Sequence, residues 1–259
     1  MNKIKALFKK NDQGMLTIFY TAGYPELDST IAIAQHLNAA NIKLVEIGMP
    51  FSDPLADGTT IQHSSEIALQ NGMNMRVLFK QVKMISETTN LTIVLMGYLN
   101  QLMSIGVERF LKHCQESGVS SLIIPDLPMD IYENEYQELF NTYDISISFL
   151  ITPRTSTERI LVADRLTSGF LYLVADNSIT GGTSGNFSKE QEAYFKRIHD
   201  MNLVSPLLIG FGIKTAKQLK MANKYVDGTI IGSEFIRQIS SADKVTQENI
   251  SRFIYSVNT

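Results

Sequence analysis

Short apolar runs alternate with segments of helical periodicity along the whole of this 259-residue chain. The runs are nearly continuous in Ile, Val, Leu and Phe, as expected for buried parallel strands that helices cover. Parallel neighbours need a crossover connection, so the alternation predicts a parallel sheet with helical crossovers. Eight such units in roughly 250 residues predict a single (β/α)8 TIM barrel. The predicted strands span residues 16–22, 44–50, 92–98, 121–126, 146–152, 170–175, 207–213 and 228–232.

Helical segments follow the predicted strands, and two of the loops carry more than one segment. They span residues 28–40, 60–70, 75–88, 105–117, 131–143, 157–166, 189–201, 216–225, 235–239 and 246–256. Residues 1–10 have charges on both sides of a short apolar patch, which predicts a short amphipathic helix. We therefore expect extra short helices at the N-terminus and in the loops after the second and eighth strands.

A doubly wound open sheet is the competing architecture, and it should carry a glycine fingerprint after its first strand. The segment Thr21-Ala22-Gly23-Tyr24-Pro25 has one glycine and a proline there instead, which favours the barrel. No linker, low-complexity segment or block of like charges divides the chain. We therefore predict one domain over residues 1–259.

The composition disfavours several classes of protein. A net charge of -3 gives no indication of a nucleic-acid surface. No apolar stretch approaches the ~20 residues that span a bilayer, and residues 1–10 lack the features of a signal peptide. The single cysteine, Cys114, cannot form an internal disulfide, which fits a reducing compartment. We expect a cytoplasmic protein with neither a membrane nor a nucleic-acid partner.

The most informative polar residues lie in and after the second predicted strand. Glu46 interrupts that apolar run, and Asp53 and Asp57 lie in the loop that follows. A glutamate is seldom fully buried, so Glu46 either forms an ion pair or takes part in chemistry. Strand alternation places Glu46 on the same face as Leu44 and Gly48, and we assign that face to the barrel interior. Asp57 is close enough in the chain to reach over the end of this strand.

In a barrel, active-site residues come from the C-terminal ends of the strands and from the loops that follow. Tyr98 ends the third predicted strand, Asp126 ends the fourth, and Tyr172 lies within the sixth. Each has a structural alternative. The two tyrosines can be core aromatics with satisfied hydroxyls, and Asp126, which lies between two prolines, more plausibly holds its loop in shape.

Three glycine-bearing turns predict a phosphate site. Thr180-Gly181-Gly182-Thr183 follows the sixth predicted strand, and the last two strands end in Gly210-Phe211-Gly212-Ile213 and Ile231-Gly232-Ser233. Barrel loops in these positions often bind phosphate through backbone N–H groups at a helix N-terminus. A single such turn is more often a plain turn. Two of them at adjacent strand ends, with a third in the preceding loop, favour a phosphate site.

The residue types that are missing narrow the chemistry further. The four histidines, His36, His63, His113 and His199, fall in predicted helical segments, which argues against a histidine-bound metal centre. No lysine lies inside a predicted strand, which argues against Schiff-base chemistry. What remains is acid–base chemistry by carboxylates on a phosphorylated substrate, with no metal and no bound cofactor.

Residues 45–58 resemble the signature of the tryptophan synthase alpha chain family, E-[LIV]-G-x-P-F-S-D-P-x-A-D-G, which matches throughout. The similarity covers nearly the whole chain and includes Ile61-Gln62, Thr21-Ala22-Gly23-Tyr24-Pro25, Asp126-Leu127-Pro128, Tyr172 with Thr180-Gly181, Gly210-Phe211-Gly212-Ile213 and Gly232-Ser233. It implies a (β/α)8 barrel that cleaves indole-3-glycerol phosphate to indole and glyceraldehyde 3-phosphate. It also implies an alpha2beta2 heterotetramer, in which a beta chain with pyridoxal phosphate joins the indole to serine.

The resemblance further implies roles for individual residues. The catalytic acids would be Glu46, which moves protons between indole C3 and the side-chain hydroxyl, and Asp57, which accepts the indole N–H. The substrate would be contacted near the cleaved bond by Tyr172. The indole pocket would be lined by Phe19, Tyr98, Ile123 and Phe211. The phosphate would be bound by Gly181, Gly212, Gly232 and Ser233. Residues 176–187 would form a lid over the site, with Thr180 closing on Asp57.

The chain departs from the usual pattern of this family at four positions that lie outside the acids and the phosphate turns. Thr59 replaces a proline, Ser65 an asparagine, Ser178 a glycine, and Gly97 a bulkier residue. Ser178 bears on lid closure, while Thr59 and Ser65 bear on the second loop and its contact with a beta chain.

Three other functions stay open on the sequence. One is a stand-alone lyase for indole-3-glycerol phosphate that has no beta partner. Another is a non-catalytic protein that activates a beta chain by docking, against which the intact Glu46 and Asp57 argue. The third is a different phosphate-binding barrel, such as a sugar-phosphate isomerase, which would usually employ a histidine or lysine at a strand end.

Overall fold

A computed structural model describes residues 3–10, 14–54, 57–175, 187–210, 212–213, 215–241 and 245–258 of the chain. Strands and helices alternate through these residues, as the hydrophobic pattern predicts. The strands are β1 Met15–Thr21, β2 Leu44–Gly48, β3 Thr92–Met96, β4 Ser121–Ile123, β5 Ser146–Ser148, β6 Leu150–Ile151, β7 Leu171–Val174, β8 Leu207–Gly210 and β9 Gly228–Ile231.

The helices occupy the predicted crossovers and also supply the extra elements. They are α1 Lys3–Lys10, α2 Ser29–Ala39, α3 Thr59–Gln70, α4 Met75–Thr88, α5 Leu99–Ile105, α6 Val107–Ser117, α7 Met129–Ile131, α8 Gln137–Thr142, α9 Thr157–Leu166, α10 Lys189–His199, α11 Ala216–Ala222, α12 Ser233–Ser240 and α13 Gln247–Asn258. The predicted extra helices at the N-terminus and in the loops after the second and eighth barrel strands are present as α1, α3 and α12. None of the helices within the described ranges is long and apolar enough to cross a membrane.

The sheet is parallel and follows the order β5-β4-β3-β2-β1-β9-β8-β7-β6. Its two end strands, β5 and β6, are consecutive in the chain and are separated only by Phe149. The carbonyl of Phe149 accepts a hydrogen bond from the Tyr172 N–H at 2.9 Å, which continues the pairing towards β7. The predicted fifth strand, residues 146–152, is therefore one barrel strand interrupted at Phe149. The sheet forms a nearly closed barrel, which confirms the predicted TIM-barrel fold.

Both faces of the barrel wall are buried, which explains why the strands lack polar alternation. Every residue of β1 and β2 is buried. Ile18 and Tyr20 alternate along β1 with Phe19, which faces the barrel interior, and all three side chains are at most 5% exposed. Helix α4 shows how the outer layer is built. Its N-cap Asn74 accepts a hydrogen bond from the Val77 N–H, and one face of the helix is buried.

Two helical regions differ from the prediction. The predicted helix 105–117 is present as α6, but the short helix α5 before it was not predicted. Gly106 separates the two helices with φ +86°, a conformation that favours glycine. Residues 131–143 were expected to be one helix. There α7 and α8 flank a π-helical turn, Tyr132–Tyr136, in which Tyr132 is buried against Phe140 and Phe149 at ring-centroid distances of 5.2 and 5.4 Å.

Candidate active site

A cavity of about 190 Å³ opens at the C-terminal ends of the barrel strands. It brings together three carboxylates, two aromatic rings and the glycine turns after β8 and β9. Two of the carboxylates, Glu46 and Asp57, come from β2 and the loop after it, whereas the third, Glu234 on α12, is paired with Arg237. The described residues that line it are Phe19, Glu46, Asp57, Gly58, Thr59, Thr60, Ile61, Met96, Tyr172, Gly212, Ile213, Ile230, Gly232, Ser233, Glu234 and Arg237.

Glu46 projects into this cavity from the middle of β2. It lies in register with Phe19 on β1 and Val94 on β3, and it is 1% exposed. Among the described residues, neither of its carboxylate oxygens has a hydrogen-bond partner. Burial raises the pKa of Glu46 to about 8, and the nearby Asp57 charge adds to the increase. A buried carboxyl of this kind carries its proton at neutral pH.

Asp57 lies just before α3 and is partly buried. Its Oδ2 accepts a hydrogen bond from the Tyr98 hydroxyl at 2.9 Å, and its backbone carbonyl accepts one from Gln62 Nε2 at 2.9 Å. Burial raises the pKa of Asp57, while the bond from Tyr98 opposes that increase because it stabilises the ionised form. Asp57 therefore has a hydroxyl donor, whereas none of the described residues donates to Glu46.

Tyr98 supports Asp57 from the N-cap of α5, just after β3, and it is not among the described residues that line the cavity. Its N–H donates to Gln101 Oε1 at 2.9 Å, and Gln101 Nε2 donates to the Pro50 carbonyl at 3.0 Å. Its ring also contacts Phe51, with 5.2 Å between the ring centroids. Asp126 accepts a hydrogen bond from the Leu99 N–H at 2.9 Å, in keeping with a loop-holding role. These contacts orient the Tyr98 hydroxyl towards Asp57.

Tyr172 reaches the cavity from β7 and is 4% exposed. Its pKa is raised by burial and then by the charges of Glu46 and Asp57, so the hydroxyl is neutral and close to both acids. A Cβ atom at Gly210 would lie 1.9 Å from the Tyr172 hydroxyl oxygen, so the phenol occupies space that only glycine leaves open. A Cβ atom at Gly48 would similarly lie 2.7 Å from Phe19 Cζ. The sequence pattern did not predict these two close contacts.

The glycine turns after β8 and β9 lie in the same cavity. Gly212 has φ +87°, and Gly232 is the N-cap of α12, where no side chain caps the helix. Backbone N–H groups at such a helix start can bind an anion. Ser233, the first residue of α12, places a hydroxyl beside them. This end of the cavity therefore presents backbone N–H groups and the Ser233 hydroxyl, with the Glu234 carboxylate in the same first turn of α12.

Several predicted site residues lie elsewhere or are not described. Ile123 is fully buried in β4 and is absent from the described cavity lining. Thr180, Gly181, Phe211 and the predicted lid at residues 176–187, apart from Phe187, lie outside the described residues, as does Ser178. Phe187 packs against Phe195 at 5.0 Å between ring centroids.

Some lining residues were not predicted from the sequence. Met96 and Ile230 lie on barrel strands, and alternation from Val94 and Gly228 is a signal that could have identified them. Glu234 and Arg237 lie on α12, and only the folded chain brings them to α3.

At Gly97, where the family usually has a bulkier residue, Met49 and Gln101 occupy the space of a side chain. A Cβ atom there would lie 2.2 Å from Met49 Cε.

The histidines lie on α2, α3, α6 and α10, as expected. Across the part of the chain that the structure describes, no group of three or more His, Cys, Asp or Glu side chains could hold a metal ion.

Comparisons with known proteins agree with this geometry. The sequence model of the family "Tryptophan synthase alpha chain" matches residues 5–259. The tryptophan synthase alpha chain of Flavobacterium psychrophilum is 46% identical over 257 residues, which cover 99% of this chain and 100% of that protein. A solved structure of the A-subunit of tryptophan synthase from Pyrococcus furiosus is 31% identical with a TM-score of 0.86, covering 95% of this chain and 98% of that one. A structure of the a2b2 complex from the same organism contains a chain that is 30% identical, with a TM-score of 0.85 and the same coverages.

Proposed function

This chain belongs to the tryptophan synthase alpha chain family, and from that premise we propose that Glu46 and Asp57 are its catalytic acids. The reaction is the lyase cleavage of indole-3-glycerol phosphate to indole and D-glyceraldehyde 3-phosphate, in L-tryptophan biosynthesis. The observation that carries the assignment is the pair of carboxylates on one cavity. They have contrasting surroundings, and they share the cavity with the N-terminus of α12, whose backbone N–H groups support the phosphate assignment.

The bond that breaks joins indole C3 to the carbon that bears a hydroxyl group. In the proposed mechanism, the protonated Glu46 carboxyl gives its proton to C3, which converts the indole to an indolenine cation. The resulting carboxylate then accepts the proton of the side-chain hydroxyl. That oxygen becomes the aldehyde carbonyl, and the C–C bond electrons return to the ring and restore the indole. Glu46 ends with the proton count it began with, so one residue serves as acid and then as base.

Asp57 has the complementary role in this scheme. The indole N–H becomes more acidic as positive charge develops on the ring, and the Asp57 carboxylate accepts that hydrogen bond. The Tyr98 hydroxyl on Oδ2 helps to keep Asp57 ionised, and stabilisation of developing charge by a positioned group is a large catalytic effect. The substrate ring accepts the electrons itself, so we propose that this chain works without a metal or bound cofactor.

Among the remaining site residues, the cavity lining supports Phe19, Tyr172, Gly212, Gly232 and Ser233, and the family pattern alone supports the others. We propose that Phe19, Tyr98, Ile123, Tyr172, Thr180 and Phe211 bind the substrate. The phosphate is bound by Gly181, Gly212, Gly232 and Ser233. Residues 176–187 close over the site and exclude water. The N-terminus of α12 supports the phosphate assignment, because anions are stabilised there by backbone N–H groups and by the helix dipole.

The proposed partner is a tryptophan synthase beta chain, because structures related to this chain include the a2b2 complex. We propose an alpha2beta2 heterotetramer in the cytoplasm, with pyridoxal phosphate in the beta chain. Residues 1–259 act as one domain in this assembly.

The test is indole release from indole-3-glycerol phosphate by the purified full-length chain, with and without a beta chain. We expect indole formation by the chain alone and a faster rate when the beta chain is added. No indole under either condition would refute the lyase assignment. If the chain releases indole, forms no complex with the beta chain and is not accelerated by it, the result would instead support a stand-alone lyase.

A further inference from the structure

Arg237 is the one positively charged side chain among the described residues that line the cavity. It lies on α12, four residues after Ser233, so the two residues share one face of the helix. Its guanidinium donates to Glu234 Oε2 from Nε and Nη2, at 3.2 and 2.7 Å. Its Nη1 donates to the Thr60 hydroxyl at 3.2 Å. This last bond joins α12, which begins just after Gly232, to α3, which begins just after Asp57 and Gly58.

The start of α3 lacks a side-chain cap. Its N-cap is Gly58, which makes no side-chain capping bond, and its first turn has no acidic residue. A capping side chain normally satisfies the first N–H groups of a helix and orients the chain that leads into it. Asp57, which directly precedes this start, is therefore held by side-chain contacts, and one of them comes from α3 itself, where Gln62 Nε2 donates to the Asp57 carbonyl at 2.9 Å. Tyr98 supplies one on the carboxylate, and Arg237 supplies one on the helix.

The bond from Arg237 is a poor device for stabilising the fold. The side chains of Arg237 and Glu234 are 45% and 34% exposed, and ion pairs as accessible as this one contribute little to stability. A cation beside the first turn of α3 also opposes the dipole of that helix. Its location at the cavity, between the proposed phosphate turn and Asp57, therefore points to a role in the site.

We propose that Arg237 is a positioning residue whose hydrogen bond to Thr60 holds the start of α3, and with it Asp57, against the phosphate-binding end of α12. This inference rests on the proposed function, because it assigns Arg237 an effect on the same reaction. The N-terminus of α12, which binds the phosphate, then moves as one unit with Asp57, which accepts the hydrogen bond from the indole N–H. Small displacements of such an acid reduce the rate more than they reduce substrate binding.

The test removes the two ends of the hydrogen bond separately. Arg237→Gln removes the guanidinium, and Thr60→Val removes the hydroxyl while keeping the shape and the Arg237 charge. With the full chain and its beta chain present, we expect each variant to lower kcat by about tenfold and to change KM by less than about threefold. The double variant should be no slower than the slower single variant, because both changes remove one bond.

Two controls separate positioning from stability. Thr60→Ser keeps the hydroxyl and should retain most of kcat. Arg252→Gln breaks an exposed ion pair with Glu248 on α13, which has an N–O distance of 2.6 Å, and should leave kcat unchanged. Thermal melting of every variant shows whether a loss of kcat follows a loss of folded protein.

Three results would overturn the inference. They are an unchanged kcat in Arg237→Gln, a loss in Arg237→Gln that Thr60→Val does not share, and losses that multiply in the double variant. The second result would mean that the guanidinium acts through its charge and not through Thr60. A wild-type chain that releases no indole would instead refute the proposed function, so the two failures are distinguishable.

Discussion

Glu46 and Asp57 line one cavity, but the chain holds them in two different ways. Glu46 is part of a barrel strand, between β1 and β3, and among the described residues no group hydrogen-bonds to its carboxylate. Asp57 lies in a loop and is held by side chains from other segments, Tyr98 on its carboxylate and Gln62 on its carbonyl. The barrel wall provides a rigid and dry position, whereas the loop provides hydrogen-bond donors.

This difference separates the chemical properties of two similar groups. Burial without a partner favours the neutral form of Glu46 and raises its pKa to about 8. Burial with a hydroxyl donor raises the pKa of Asp57 less effectively, because the bond from Tyr98 favours the charged form. One carboxyl can therefore deliver a proton while its neighbour carries the negative charge. Two acids in the same surroundings would compete for one role.

The largest expected effect comes from exchanging each acid for its amide. Glu46→Gln removes the proton carrier, and we expect indole release to fall by about 10³–10⁴-fold. Asp57→Asn removes charge stabilisation but keeps a hydrogen-bonding group, and we expect a smaller loss of about 10²–10³-fold. Initial rates of indole formation measure both. Glu66→Gln, on the exposed face of α3, is the matched control and should keep the wild-type rate.

Equal losses of the indole-release rate in the two amide variants would mean that the acids act as one coupled unit. The different positions of the acids, in a strand and in a loop, would then not give them different roles. Near-full turnover in Asp57→Asn would remove Asp57 from the catalytic assignment.

The second expected effect is on stability, because the pKa of Glu46 differs between the folded and unfolded chain. Between the unfolded value of 4.5 and the folded value of about 8, the folded chain keeps a proton that the unfolded chain releases. The free energy of unfolding therefore falls as the pH rises through this window. From pH 5 to pH 8 we expect Glu46 alone to cost about 2–4 kcal/mol, and Glu46→Gln should remove that part of the slope.

Denaturant unfolding of the wild type and of Glu46→Gln at a series of pH values measures the difference in slope. Glu248→Gln provides the matched control, because its side chain is 77% exposed and its removal should leave the slope unchanged. Parallel pH profiles for the wild type and Glu46→Gln would show that Glu46 is solvated, contrary to its burial in the barrel.

The same contrast explains what the sequence could and could not predict. Glu46 was identified because a charged residue inside an apolar run stands out, and the run itself predicts a buried strand. The short helix α5 was missed, and so was the interruption at Phe149, because the apolar pattern continues through Phe149. The predicted helix 131–143 likewise gave no sign of its π-helical turn, because helical periodicity does not distinguish an i+4 from an i+5 hydrogen bond.

Loop residues were harder to place, since their neighbours come from distant parts of the chain. Tyr98 was expected to line the indole pocket, and that assignment stays a proposal. Its hydrogen bond to Asp57 spans 41 positions in the sequence, and no local pattern encodes it. Arg237 and Thr60 are 177 positions apart, and their contact depends on the barrel bringing α12 beside α3. A periodic pattern therefore predicts a strand-borne acid, while the support for a loop-borne acid requires the fold.

The smallest expected effect tests that support directly through Tyr98→Phe. The substitution keeps the ring that contacts Phe51 and removes only the hydroxyl on Asp57 Oδ2. The pKa of Asp57 should rise, because the bond that lowers it is gone. We expect the acidic limb of the kcat–pH profile to move to higher pH, because Asp57 acts in its ionised form. The basic limb, which follows Glu46, should stay in place because Asp57 is ionised there in both proteins.

Rates of indole release across the pH range measure both limbs, and Tyr255→Phe on the exposed α13 face is the matched control. A shift of both limbs would show that the two acids share their protons, so that strand and loop do not set separate pKa values. An unmoved acidic limb would show that burial alone determines the pKa of Asp57. Only a shift confined to the acidic limb supports separate control of the two acids, in which burial in the strand keeps Glu46 protonated and the hydrogen bond in the loop keeps Asp57 ionised.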